Sequence, residues 1–196
     1  MDFSGAKDFI IKKLVDELDP RLSYHSIDHS LDVYQMAGKL ATLEHISDHE
    51  RILLETAALF HDAGMLIRYI GHEDAGVEIA QEHLPGFGYE RQDIDHISGM
   101  ILTTKLPQSA STHLEKLLCD SDLDYLGRDD FFMIGHRLRH EWNILDIRKT
   151  SLREWYELQI MFLENHTFFT DSSQHLRTEK KAENLKQVKE LVCFMK

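Results

Sequence analysis

Residues 48–65 read DHERILLETAALFHDAGM. Ile52, Leu53, Leu54, Ala57, Ala58, Leu59 and Phe60 put apolar side chains on nearly every face of a helix with 3.6 residues per turn. A helix that is apolar all round belongs at the centre of a domain. Asp48 is its expected N-cap and Gly64 its expected C-cap. His61-Asp62 stand at the end of this run, and an imidazole and a carboxylate beside a buried helix are costly unless they pair or hold an ion.

The flanking sequence is helical in pattern as well. Val33, Met36, Ala37, Leu40 and Ala41 recur at i, i+3, i+4, i+7 and i+8, and Ile10, Ile11, Leu14, Val15 and Leu18 form a stripe over Phe9–Leu18, closed by Asp19-Pro20. Further helices are expected over 72–83, 90–103, 113–126, 130–142, 152–164 and 178–195. Pro20, Pro85 and Pro107 each fall where a helix should start or stop. With no run of strict alternation and no Asn-Gly hairpin signal, the expected class is all-α.

Composition narrows the function classes. The chain has 196 residues, a length suited to one domain spanning 1–196, and its 42% hydrophobic and 29% charged residues are ordinary globular usage. Its 22 Lys+Arg against 34 Asp+Glu give a net charge of −12, which repels nucleic-acid polymers and anionic membranes. Cys119 and Cys193 form no CxxC, the start (Met1-Asp2-Phe3-Ser4) is no signal peptide, and no apolar run approaches membrane-spanning length. A cytoplasmic protein is therefore expected. The anomaly is thirteen histidines, since histidine is the commonest metal ligand.

Four places concentrate metal-competent groups. His25 and His29 are four apart at the entry of a helix and share one face. His61-Asp62 read either as a satisfied buried pair or as adjacent ligands of one cation. Asp120, Asp122 and Asp124 alternate beside Leu117, Leu118, Leu123 and Leu126; residues two apart do not share a helix face, so at most one or two point inward together, and the stretch lacks the glycine and glutamate of an EF-hand loop. His72-Glu73-Asp74 open a helix, where acidic residues are also favoured by the helix dipole. Taken singly, each place has a structural explanation as well as a chemical one.

In order, His29, then His61-Asp62, then Asp122 resembles the signature of the HD-domain superfamily of metal-dependent phosphohydrolases. YHSIDHSLDV (24–33), LETAALFHDAGM (54–65) and LLCDSDLDYLG (117–127) are similar to the contexts of that signature. The resemblance implies a compact multi-helix bundle with a signature core over 24–126 and the helices of 127–196 packed on it. It implies His29, His61, Asp62 and Asp122 as ligands of a divalent ion (Mn, Fe, Zn, Co or Mg), with Asp120 the alternative to Asp122. It also implies Asp62 and His25 as catalytic groups. His25 stands where the related cyclic-nucleotide phosphodiesterases, with their YHN entry, place the acid that protonates the leaving oxygen; here Ser26 replaces the asparagine.

His72 resembles a second-metal ligand of two-metal relatives, but the stretch from Met100 to Lys105 lacks their later histidines. One ion is therefore expected rather than two, which leaves His72, Thr104 and Lys105 to meet a substrate phosphate, with Arg128 a further candidate. The expected activity is metal-assisted hydrolysis of a small phosphorylated substrate, a phosphomonoester, phosphodiester or nucleotide. The expectation leaves room for a homodimer. Two alternatives remain: a di-iron oxygenase, which needs the missing ligands, and a regulatory module that binds metal or nucleotide without turnover.

Overall fold

The computed structural model describes residues 1–195, and among them nine α-helices and no strand form. They are α1 (Phe3–Glu17), α2 (Ile27–Leu43), α3 (Asp48–Phe60), α4 (His72–His83), α5 (Arg91–Thr103), α6 (His113–Asp122), α7 (Phe131–Ile144), α8 (Leu152–Asn165) and α9 (Asp171–Phe194). Single 3-10 turns cover Ala63–Leu66, Leu84–Phe87 and Asp124–Gly127. No described helix is long and apolar enough to cross a membrane.

Several boundaries differ from the sequence expectation, each for a local reason. α3 is capped by Ser47 rather than Asp48, in a capping box where Ser47 Oγ accepts from Glu50 N–H and the Glu50 carboxylate accepts from Ser47 N–H. α1 begins at Phe3, where Asp2 accepts from the Gly5 amide. α9 begins at Asp171, capped by Thr170, well before Thr178. The helix expected over 113–126 ends at Asp122 and tightens into the 124–127 turn. Gly64 lies inside the 63–66 turn and does not cap α3.

The contacts group the chain into two units. In the first, residues 1–20 and 25–122, α3 is the centre and packs against α1, α2, α5 and α6. Every residue from Leu53 to Phe60 is buried. Burying a Leu or Phe side chain contributes roughly 1.5–3 kcal/mol before ordering costs, so Leu53, Leu54, Leu59 and Phe60 anchor the unit. Glu55, the charged member of the run, is held by Arg51 at 2.7 Å one turn earlier. The 63–66 turn packs on α4 through glycine: a Cβ on Gly64 would lie 2.5 Å from the Gly76 amide nitrogen.

The second unit comprises Arg21–Tyr24 and the chain from Leu123 onward. α8 packs on α9, and both α7 and α9 pack on the 124–127 turn. Its core holds Trp155, Phe131, Phe168, Tyr125, Leu126 and Val188. Within it the buried Asp124 accepts from Arg177 at 2.6 and 2.9 Å. Asn184 Nδ2 donates to the carbonyls of Leu126 and Arg128 at 3.0 Å each.

Candidate metal centre

The first unit brings its chemistry to helix ends. His29 lies in the first turn of α2, His61 directly follows α3, and Asp122 is the last residue of α6. Asp62 follows His61 at the entry of the 63–66 turn, and His72 opens α4. α3 and α6 thus deliver His61 and Asp122 from their C-terminal ends, the negative ends of the helix dipoles, which favour a cation.

Four side chains converge. His29 Nε2 lies 3.3 Å from His61 Nε2, 3.5 Å from Asp62 Oδ2 and 3.2 Å from Asp122 Oδ1. His61 Nε2 lies 3.2 Å from Asp62 Oδ2 and 3.6 Å from Asp122 Oδ1. Donors bound to one ion at about 2.0–2.2 Å sit about 3.0–3.5 Å from each other, so this spacing suits a shared divalent cation. His61 Nδ1 lies 2.8 Å from the Ala58 carbonyl and donates to it, which leaves Nε2 with its lone pair facing inward. Asp62 Oδ2 is buried without an aligned hydrogen-bond donor, a costly state that a cation relieves. The residues present therefore fit a divalent ion.

Asp62 has a second role. Its other oxygen, Oδ1, lies 3.3 Å from His72 Nε2, and one donor atom each from His25, Asp62 and His72 lies within 4.8 Å of the others. His72 Nδ1 is 2.9 Å from the Tyr69 carbonyl and donates to it, so Nε2 is the ring nitrogen that faces the carboxylate. The Asp62 carboxylate thus joins two donor sets: Oδ2 faces His29 and His61, and Oδ1 faces His72, with a His25 nitrogen grouped beside them.

The charges are strongly coupled. Burial alone would depress the His61 imidazole, but the charges of Asp62 and Asp122 and the contact with Asp62 raise it to about 9. Burial pushes the Asp62 carboxyl upward, yet His61, His25 and His72 hold it well below the usual carboxylate range. For His72, burial again opposes a rise that its contact with Asp62 imposes. Each imidazole needs an anion or a cation opposite it, and Asp62 is the common partner.

The remaining sequence candidates are distributed unevenly. Asp122, not Asp120, enters the donor set, and Asp120 is buried elsewhere on α6. Thr104 is buried and donates its hydroxyl to the Ile101 carbonyl at 2.8 Å, closing α5. Lys105 is exposed, with Nζ 3.6 Å from Asp74 in the first turn of α4, next to the helix start that carries His72. Arg128 belongs to the second unit and is engaged by Asp130 at 2.6 and 2.9 Å and by Asp124 at 3.5 Å. Two contributors were not singled out in the sequence. Tyr69 acts partly through its carbonyl, which any residue possesses. The pairing of Gly64 with Gly76 is hinted at only by two glycines flanking His72.

Comparison with known proteins bears on the family and the fold. An uncharacterised protein of Clostridium beijerinckii is 32% identical over 89 residues, which are 44% of this chain and 56% of that protein, so the match spans little more than half of that relative. Two solved structures share the fold. Bacillus subtilis YpgQ in complex with ADP superposes with a TM-score of 0.67 at 17% identity, covering 97% of this chain and 95% of that one. A predicted HD superfamily hydrolase from an uncultured Thermotogales bacterium has a TM-score of 0.61 at 19% identity, covering 98% and 92%. The model of the HD-CE family matches residues 16–184, most of the sequence, and the chain belongs to that family.

Proposed function

We propose that the protein is a metal-dependent phosphohydrolase acting on a small phosphorylated substrate, with nucleotides the first class to test. The observation that carries this reading is the convergence of His29, His61, Asp62 and Asp122: the Nε2 atoms of His29 and His61 lie 3.3 Å apart and each lies 3.2–3.6 Å from a carboxylate oxygen of Asp62 and of Asp122. The fold shared with a predicted hydrolase and with a protein that binds ADP supports it. A divalent cation held by these four residues would supply a Lewis acid that polarises a phosphoryl oxygen and lowers the pKa of water toward neutrality.

The chain's own residues supply the rest. His29 and His61 would hold the ion through Nε2, with Asp62 and Asp122 opposing its charge. Asp62 also orients the attacking water, because its two oxygens face the two donor sets. His25, beside His72 and Tyr69, gives a proton to the leaving oxygen. His72 and Lys105 draw the substrate phosphate to the start of α4.

The pairing of Asp62 Oδ1 with His72 Nε2 at 3.3 Å favours a second reading for part of the site, in which His25, Asp62 and His72 hold a second cation. Titration of metal-stripped protein with Mn²⁺, assayed on nucleotides and simple phosphomono- and diesters, tests both. One equivalent restoring full turnover supports a single ion, and two equivalents support the pair. No turnover on any ester with any divalent metal contradicts the hydrolase.

A further inference from the structure

Tyr69 touches both histidines of the second donor set through different atoms. Its carbonyl oxygen accepts from His72 Nδ1 at 2.9 Å. Its ring packs edge to face with the His25 ring, 5.5 Å between centroids and 86° between planes. The two imidazoles it touches are themselves 5.3 Å apart, and His72 faces Asp62 Oδ1. From these contacts we infer that Tyr69 is a positioning residue: its side chain sets the His25 ring, and its main chain sets the tautomer of His72.

The segment around Tyr69 is built to hold that pose. Arg68 Nε donates to the Gly71 carbonyl at 3.2 Å and Arg68 Nη2 to Glu78 at 3.0 Å, tying the turn to α4. Gly71 sits at φ 72°, a left-handed conformation that spares glycine the Cβ penalty. It turns the chain directly into His72. Ile67 and Ile70, on either side, are 55% and 75% exposed, while Tyr69 is half-buried. Of the bulky residues in this turn, Tyr69 therefore points inward. A ring locked edge to face against an imidazole removes rotamer freedom that a general acid would otherwise lose on each turnover.

This inference rests on the phosphohydrolase reading for its kinetic arm and on geometry alone for its spectroscopic arm. Tyr69→Ala is expected to lower kcat about ten- to hundredfold with KM within about threefold and metal content unchanged, since small misplacements of a reacting group cost on this scale. Tyr69→Phe, which keeps ring and carbonyl, is expected to restore kcat to within about twofold of the parent. In metal-free protein labelled on histidine, Tyr69→Ala should spread His25 over several rotamers, read from the three-bond couplings of its ring signals, and leave His61 in one. His25 couplings that still report one rotamer in Tyr69→Ala, or a Tyr69→Phe variant as impaired as Tyr69→Ala, would overturn the inference. If the parent cleaves no ester, the phosphohydrolase reading fails, and the ring signals still decide the role of Tyr69.

Discussion

Gly64 and Gly76 meet backbone to backbone: a Cβ on Gly64 would lie 2.5 Å from the Gly76 amide nitrogen and 1.9 Å from the His72 carbonyl oxygen. This approach lets α4 start beside the segment that follows α3, and it brings His72 within 3.3 Å of Asp62. Gly64→Ala must push α4 away. Overpacking of this kind costs roughly 1–3 kcal/mol, so thermal melting should show a clear loss of Tm. The same variant should lose turnover beyond its stability defect. A Gly64→Ala protein that melts and turns over like the parent would show that the contact does not constrain the site.

Metal content separates ligands from catalytic groups. His61→Ala and Asp122→Ala are expected to lose the cation, because each removes a donor from a set spaced at 3.2–3.6 Å. His25→Ala should retain it and lose turnover by about a hundredfold or more, the usual contribution of a positioned general acid. Asp120→Asn should retain both. Element analysis of the four purified variants checks this, and full occupancy in Asp122→Ala would return Asp120 to consideration.

The fold is legible in the apolar run over 53–60, because an all-round apolar helix has one physical home, and the histidine pattern points to the donor cluster that the helix ends bring together. Spacing alone could not separate Asp120 from Asp122. Residues two apart leave a helix about 200° apart, so one of them must face away, but which one depends on the rotation of α6. The first turns of α1 and α9 lack apolar periodicity; side-chain caps at Asp2 and Thr170 hold them instead. The second donor set was half visible. His72 was singled out, but its link to Asp62 depends on glycine contacts between segments that periodicity does not report.

In the metal-free protein, His61 couples stability to pH. Its folded pKa of about 9 lies above the roughly 6.5 of an unfolded histidine. The associated stability is fully present below about pH 6.5 and is lost as pH rises through about 9. Asp62, held low, contributes with the opposite sign, and its share is lost on acidification. Chelator-treated protein should therefore show a falling Tm between about pH 6.5 and 9 that His61→Ala abolishes, followed by calorimetry across that range. A flat profile in the parent would contradict the coupling.

Charges outside the donor sets divide into support and recognition. Asp124 is buried against Arg177 and Arg128, and breaking a buried ion pair from one side costs roughly 3–5 kcal/mol, so Asp124→Ala should lower Tm sharply without changing metal content. Arg128→Ala should leave KM unchanged, because Asp130 and Asp124 already hold that guanidinium. Lys105→Ala, exposed near the start of α4, should raise KM by up to about fivefold with Tm unaffected. Steady-state kinetics with a cleaved ester checks the last two, and the reverse ranking of Arg128 and Lys105 would relocate the phosphate.

The central claim is that His29, His61, Asp62 and Asp122 together hold a divalent cation, and element analysis of the purified parent chain beside His61→Ala tests it most directly. The parent chain is expected to carry at least one equivalent of a divalent metal, and His61→Ala none. A parent chain that retains no metal after equilibration with Mn, Fe, Zn, Co and Mg, or a His61→Ala protein that binds as much as the parent, would contradict it.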